Sequence, residues 1–291
     1  MNLARKELKE YLFLLPVFSI ITIIFAYPYI RTFYLAFFNV RFGVPEMHYV
    51  GLANFANLLA STTFWQALSR SFVWAAGNLV IQLSIPLGIA LLLNKKIRGI
   101  HFARALVMLP WIVPAVAIAV CMRWMLLPRI GIINEILIRV GVMDQQMHFL
   151  GSTATAMPTL ILLNSWKFIP FGTLLILSAL QSVPEGVYES AAVDGAKGFQ
   201  VFRYITFPLL GSMIWFVGFI AFAWNFNIFD LIWLTTQGGP GGSTQTLPVL
   251  IFRTAFRTFR LGEASAMAVF IAILLLVFGI LYFRILAPKK I

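Results

Sequence analysis

The chain has 291 residues, of which 60% are hydrophobic, 15% aromatic and 11% charged, and its mean hydropathy is +0.90. Soluble domains carry about 25% charged residues, so this composition excludes an ordinary soluble fold and predicts an all-α membrane protein. The formal charge of +12 would suggest nucleic acid in a soluble chain, but here the basic residues fall between apolar runs, where membrane topology accounts for them.

Arg5, Lys6 and Lys9 precede an apolar run from Tyr11 to Phe38 that contains Pro16 and Pro28. It is longer than a signal-peptide core and shows no clear small-residue cleavage site, so it reads as a retained first span kinked at Pro28. Five further runs follow: Leu68–Leu93, Phe102–Leu127, Ala154–Ala179, Ile205–Trp233 and Ala264–Leu286. Each reaches the roughly 20 residues that a helix needs to cross the hydrocarbon core, which gives six spans. Pro86, Pro110, Pro114 and Pro170 predict kinked or broken helices, and Gly77 and Gly88 predict close packing. The single cysteine, Cys121, lies in an apolar run and has no partner for an intrachain disulfide.

Orientation follows from the basic residues. With the N-terminus inside, the inner segments hold Arg5, Lys6, Lys9, Lys95, Lys96, Arg98, Arg104, Lys197, Arg203, Arg284, Lys289 and Lys290. Every lysine except Lys167 falls there, next to span ends where the positive-inside rule is strongest. Both termini are therefore expected in the cytoplasm. Arg253, Arg257 and Arg260 run against this bias, and their spacing suits one face of an external amphipathic helix lying flat.

The loops carry three further signals. Gly51–Phe55 suits a short surface helix capped near Asn54, and Ile132–Val140 suits an interfacial helix. Thr235–Thr244 places four glycines around Pro240, a conformationally specialised loop. It is either a flexible connector or a surface presented to a partner outside the membrane.

Polar side chains at membrane depth are costly unless they face a cavity or a partner. The fourth span carries Asn164, Trp166 and Lys167; the fifth carries Trp224, Asn225, Asn227 and Asp230. On a continuous helix Trp224, Asn227 and Asp230 would form one stripe. Aromatic planes beside amides and carboxylates suit sugars, whose apolar faces stack on rings while hydroxyls hydrogen-bond. The second span adds Trp74, Asn78 and Gln82 on one face. Against the path reading, such amides also bridge helices, and Lys167 also fits a simple ion pair or a snorkelling side chain. There is no Gly-x-x-x-x-Gly-Lys-Ser/Thr run, and His48, His101 and His148 are scattered without metal-ligand spacing. No catalytic residue, metal centre or cofactor is expected in this chain.

The stretch Glu189–Pro208, ESAAVDGAKGFQVFRYITFP, lies between two long apolar runs. Ala191, Ala192 and Ala196 favour helix, Gly195 interrupts it, and Pro208 restarts a membrane-entering segment. Glu189 is expected near the start of that short helix and Asp194 near its end, forming a compact docking knob. The spacing resembles the signature of ABC importer permeases, Glu-Ala-Ala, three residues, Gly, nine residues, Ile-x-Leu-Pro. Glu189, Ala191, Gly195, Ile205 and Pro208 match, while Ser190 replaces the first Ala and Phe207 the Leu. The Asp194-Gly195-Ala196 run with Gln200, Phe202 and Thr206 is similar to the carbohydrate branch. So are Gly51–Phe55, Phe64–Leu68, Gly238-Gly239-Pro240, Thr246-Leu247, Gly262 and Ala264-Ser265-Ala266. Arg70-Ser71 departs from the branch's small polar pair.

This resemblance, to the first permease subunit of maltose- and glycerol-phosphate-type importers, implies a type I importer permease fold. That fold has six transmembrane helices in one domain, residues 1–291, with a cytoplasmic coupling loop at 185–208. It implies that Glu189, Ala191, Asp194, Gly195 and Gln200 couple to an ATPase and that Gly238, Gly239 and Pro240 meet a binding protein. Trp74, Asn78, Asn164, Trp166, Lys167, Trp224, Asn225, Asn227 and Asp230 are the candidates for the solute path. The implied partners are a second homologous six-span permease, two copies of a cytoplasmic subunit that binds ATP and Mg, an extracytoplasmic solute-binding protein and a sugar-like solute, in a bacterial or archaeal inner membrane. The alternatives are an ion-coupled secondary transporter, in which Lys167 or Asp230 titrates, and a membrane scaffold subunit.

Overall fold

A computed structural model describes residues 15–95 and 98–286. Arg5, Lys6, Lys9, Lys96, Lys289 and Lys290, which support the predicted orientation, lie outside them. Among the described residues, four helices are long and apolar enough to cross a membrane: α1 Leu15–Leu35, α3 Thr62–Leu93, α7 Ala156–Gln181 and α13 Leu261–Arg284. Two bent pairs bring the number to six if each pair is one span. These are α4 Ile100–Ile112 with α5 Ala115–Met125, bent by 89°, and α9 Phe199–Leu209 with α10 Gly211–Asn227, bent by 65°. The shorter helices are α2 Ala53–Ala60, α6 Ile132–Arg139, α8 Glu185–Val193, α11 Asp230–Thr235 and α12 Leu247–Phe256. The departures from an all-α fold among the described residues are a two-residue antiparallel pair, β1 Phe38–Asn39 with β2 His48–Tyr49, and an isolated antiparallel bridge between Arg41 and Arg260.

The prolines act unequally. Residues before a proline are pushed to extended backbone, and Val113, with ψ 126°, takes that conformation and splits the third apolar run at Pro114. Pro86 and Pro170 instead sit inside continuous helices. Pro86 fits against Gly172, where an added Cβ would meet its Cβ and Cγ at 3.1 Å. Pro28 follows a π-helical stretch, Thr22–Ala26. Gly77 packs as expected, since a Cβ there would meet Ile161 Cδ1 at 2.7 Å, but Gly88 faces open space.

The described chain forms two compact units, one within residues 1–65 and 250–274, the other within 66–249 and 275–291. In the first, Ala36, Ala266 and Val269 are buried together with Phe37 and Phe55 against them. Asn54 is not the helix cap that its position suggests. Leu52 occupies that place, while Asn54 is buried and its Nδ2 donates to the carbonyls of Ala36 at 2.8 Å and Phe38 at 3.0 Å. The expected basic face is also interrupted. Helix α12 ends at Phe256, and Phe259, with φ 59°, turns the chain so that Arg257 and Arg260 lie beyond the helix that carries Arg253.

Among the described residues of the second unit, two apolar cores form. One gathers Trp74, Ile118, Leu160, Ile232 and Val249; the other gathers Ala90, Phe168, Ile176, Leu210 and Val217. Helix α6 sits where the interfacial helix was expected. Buried Asn134 secures it by donating to Leu127 and Met147 carbonyls and accepting from the Met147 N–H.

Candidate functional site: a cavity beside a broken helix

The fifth apolar run, read from sequence as one helix over Ile205–Trp233, is broken. Helix α10 stops at Asn227, Ile228 is extended with ψ 122°, and α11 begins at Asp230. Asn227 and Asp230 therefore belong to different helices, and the expected stripe through Trp224 does not form. The break instead leaves a cavity of about 150 Å³ lined by Trp111, Asn164, Lys167, Trp224, Asn225 and Asp230, with Phe168, Leu163, Ile228, Leu231, Ala115 and Ile118 as its apolar wall.

Aromatic rings dominate one side. Trp111 stacks on Phe171 with centroids 5.0 Å apart and stands 5.8 Å from Trp224, which meets Phe168 edge-on at 6.1 Å. Lys167 and Asp230 both reach the cavity, and among the described residues no ion pair within 4.0 Å joins them. Such a site offers ring faces, amide groups and one charge of each sign.

The remaining path candidates are elsewhere. Trp166 and Asn227 are exposed and do not line the cavity, and Asn227 donates to the Ala223 carbonyl of its own helix at 2.9 Å. Trp74 and Asn78 are buried behind the wall. Trp74 Nε1 donates to the Asn225 carbonyl at 2.9 Å, and Asn78 bonds to Asn164.

The Glu189 region is ordered differently from the sequence expectation. Pro184 stands at the N-cap of α8, so the helix begins at Glu185 and Glu189 lies in its middle, not near its start. Asp194 is the C-cap. Gly195 follows at φ 77°, where L residues are strained. Gly195 N–H donates to the Ala192 carbonyl at 3.1 Å and Ala196 N–H to the Ala191 carbonyl at 3.0 Å, the paired bonds of a Schellman ending. Ala191 is buried; Glu189, Asp194 and Gln200 are exposed, and so are Val193 at 88%, Phe199 at 75% and Tyr204 at 75%. The next helix starts at Phe199, after Gly198 at φ 50°, and Pro208 lies inside it, so Pro208 does not restart the segment.

The glycine-rich loop is packed and bonded to itself. Thr244 Oγ1 donates to the Gly239 carbonyl at 2.8 Å and lies 2.7 Å from Thr236 Oγ1. Gly238 is buried at φ 88°, Gly239–Pro240 is cis, and Gly241 and Gly242 also take positive φ.

Residues 84–291 match the profile of the family described as binding-protein-dependent transport system inner membrane component. The chain belongs to that family. A probable ABC transporter permease protein of Brucella suis is 36% identical over 276 residues, covering 94% of this chain and 95% of its own. The trehalose/maltose transport system permease protein of Thermococcus litoralis is 31% identical over 284 residues, covering 97% and 94%. Among solved structures, a bacterial ABC transporter involved in the import of the acidic polysaccharide alginate superposes with a TM-score of 0.84 at 25% identity, covering 97% of each chain. The chain is thus a multi-pass permease subunit of a binding-protein-dependent ABC importer, a transport protein and not an ATPase.

In this permease, sequence reasoning missed Trp111. Trp111 carried a signal, since it follows Pro110 and precedes the Pro114 break, where backbone irregularity at membrane depth marks a cavity.

Proposed function

We propose that this permease passes a sugar or sugar-like solute, handed over by an extracytoplasmic binding protein, into the cytoplasm. The observation that carries the reading is the cavity itself. Two indoles beside amides, a lysine and an aspartate match a ligand with apolar ring faces and many hydroxyls. The trehalose/maltose permease among its relatives supports the same class.

The full reading has six spans, each bent pair counting as one, with both termini in the cytoplasm of a bacterial or archaeal cell. A second homologous permease completes the channel, and two copies of a cytoplasmic subunit bind ATP and Mg. The α8 segment couples these subunits to the spans, with Glu189, Asp194, Gln200 and the exposed Val193 and Phe199 facing the ATPase. Closure of the ATPase pair shifts α8 as a rigid element and biases two packed states of the spans. The loop at Gly238–Pro240 meets the binding protein.

Screening the cognate binding protein against mono- and oligosaccharides, sugar acids and glycerol phosphate, followed by uptake in inverted and right-side-out vesicles, tests this reading. Uptake of a carbohydrate that requires ATP is expected. Uptake that follows an ion gradient without ATP, or a binding protein that takes no carbohydrate, would overturn it.

The coupling role has its own test. Gly195→Val is expected to abolish ATP-driven uptake while Gly195→Ala keeps part of it. Placing an L residue in the left-handed region costs about 1–2 kcal/mol, and β-branching adds to it. An added Cβ meets nothing within 4 Å in the chain itself, so expression should survive and the loss should appear as solute-independent ATP hydrolysis. Equal uptake by the two variants would remove the Gly195 turn from coupling.

A further inference from the structure

Beside the cavity, four amide side chains from three helices form a closed ring; two of them, Asn164 and Asn225, also line the cavity. Asn164 Nδ2 of α7 donates to Asn78 Oδ1 of α3 and to Asn225 Oδ1 of α10, both at 2.7 Å. Asn225 Nδ2 donates to Gln82 Oε1 at 2.7 Å, and Gln82 Nε2 donates to Asn78 Oδ1 at 3.2 Å. Ser165 Oγ adds a third bond to Asn78 Oδ1 at 3.0 Å. Asn78 and Gln82 are both 0% exposed.

The direction of two amides in the ring, Asn78 and Asn225, is fixed by backbone, and the other two follow from them. A carbonyl only accepts, so the Trp74 carbonyl, 2.9 Å away, holds Asn78 Nδ2, and the Ala221 carbonyl, 2.6 Å away, holds Asn225 Nδ2. Both residues must then turn their oxygens toward Asn164. Asn164 answers with its nitrogen, whose two N–H groups are used on these two oxygens. What remains of the Asn164 amide, which lines the cavity, is its Oδ1.

We propose that Asn78 is a positioning residue for transport: it never meets the solute, but holds Asn164 so that the cavity is offered a hydrogen-bond acceptor and no donor at that point. The passing solute must then present a hydroxyl or N–H there. This rests on the cavity being the solute's path, and the test separates the two claims. Ala115 stands on the cavity wall, and Ala115→Cys is made in the Cys121→Ser background of the assembled transporter in nanodiscs. Modification rates of the introduced thiol by the cationic trimethylammonium-ethyl and anionic sulfonato-ethyl methanethiosulfonates report the local potential. Asn78→Leu removes one of the two oxygens that hold Asn164, Asn225 Oδ1 being the other. It is expected to lower the cationic-to-anionic rate ratio toward a limit of roughly fivefold, the Coulomb scale for losing an oriented amide dipole about 5 Å from a unit charge at an effective ε of about 20.

Ser165→Ala removes a hydrogen bond from the same Asn78 oxygen yet leaves Asn164 held, so its ratio should match the unsubstituted protein. A purely structural role would move neither ratio. Should Asn78→Leu fail to assemble, Asn78→Ala serves instead, with the same fall expected. Lys167 and Asp230 line the same cavity and are common to all variants, so each ratio is read against the unsubstituted protein at the same pH. An unchanged ratio in Asn78→Leu or in its replacement Asn78→Ala, or an equal fall in Ser165→Ala, overturns the positioning role alone. Absence of reaction of the introduced thiol with either reagent in every nucleotide state overturns the path reading beneath it.

Discussion

Gly262→Ala is expected to cost this permease most of its folded yield, although it adds a single methyl group. Gly262 is buried in the first turn of α13, and an added Cβ would stand 2.1 Å from the Phe38 carbonyl oxygen and 3.1 Å from Asn54 Nδ2. Neither neighbour can yield cheaply. The Phe38 carbonyl already accepts from Asn54, Phe38 is paired with Tyr49 in the small sheet, and Gly262 N–H donates to the Val40 carbonyl at 3.2 Å. An alanine Cβ has no rotamer by which to escape. The expected cost is at or above the upper end of the about 1–3 kcal/mol usual for overpacking, read as detergent-solubilised yield and thermal midpoint. Gly88→Ala is the paired control. It lies in α3 with nothing within 4 Å of an added Cβ, and helix propensity there favours alanine by about 1 kcal/mol. Comparable yields for the two variants would show that the contact between residues 38 and 262 does not constrain the fold.

How much of this was legible in the sequence differs from one element to the next. Apolar run length found the four long helices and the two bent pairs because burial in lipid needs a minimum length of apolar helix, and that constraint is local. The split at Pro114 was legible for the same reason, since proline lacks an N–H and restricts the residue before it. The split after Asn227 was not. Residues 225–230 read Asn-Phe-Asn-Ile-Phe-Asp, with no proline or glycine. The Asn225 carbonyl at this helix end accepts from Trp74 Nε1, 151 residues away in sequence, and the Asn225 side chain is drawn into the amide ring. Periodicity carries no trace of such partners, so the sequence stripe joined Asn227 to Asp230 across a turn that does not exist. The same limit applies to Asn78. Its polarity at membrane depth was visible, but whether it faces the cavity or stands behind it depends on what α7 and α10 place in front. The start of α8 was misjudged because the alanines weighed more than Pro184, whose fixed φ suits the beginning of a helix.

Lys167→Met and Asp230→Asn are each expected to lower ATP-driven uptake of the carbohydrate found by the binding-protein screen by roughly 10- to 150-fold, the equivalent of one hydrogen bond to a charged group at about 1.5–3 kcal/mol. Both side chains line the cavity from different helices, Lys167 from the middle of α7 and Asp230 from the first turn of α11. Removing an ordinary bond between membrane helices costs only about 0.6–2 kcal/mol, and the assembled complex with its basal ATP hydrolysis should survive either change. The double variant decides what the two charges do. If each meets the solute independently, their losses multiply, because the coupling between them is near zero. If they close on each other in another state of the cycle, the double variant recovers much of the uptake lost by either single one. Asn227→Ala provides the internal control, since Asn227 is outside the cavity and bonds only its own helix at the Ala223 carbonyl. Near-normal uptake is expected for it, against a deep loss at 230, three residues on. A loss at 227 equal to that at 230 would restore a continuous helix through the fifth span in the working transporter and remove the break from the solute path.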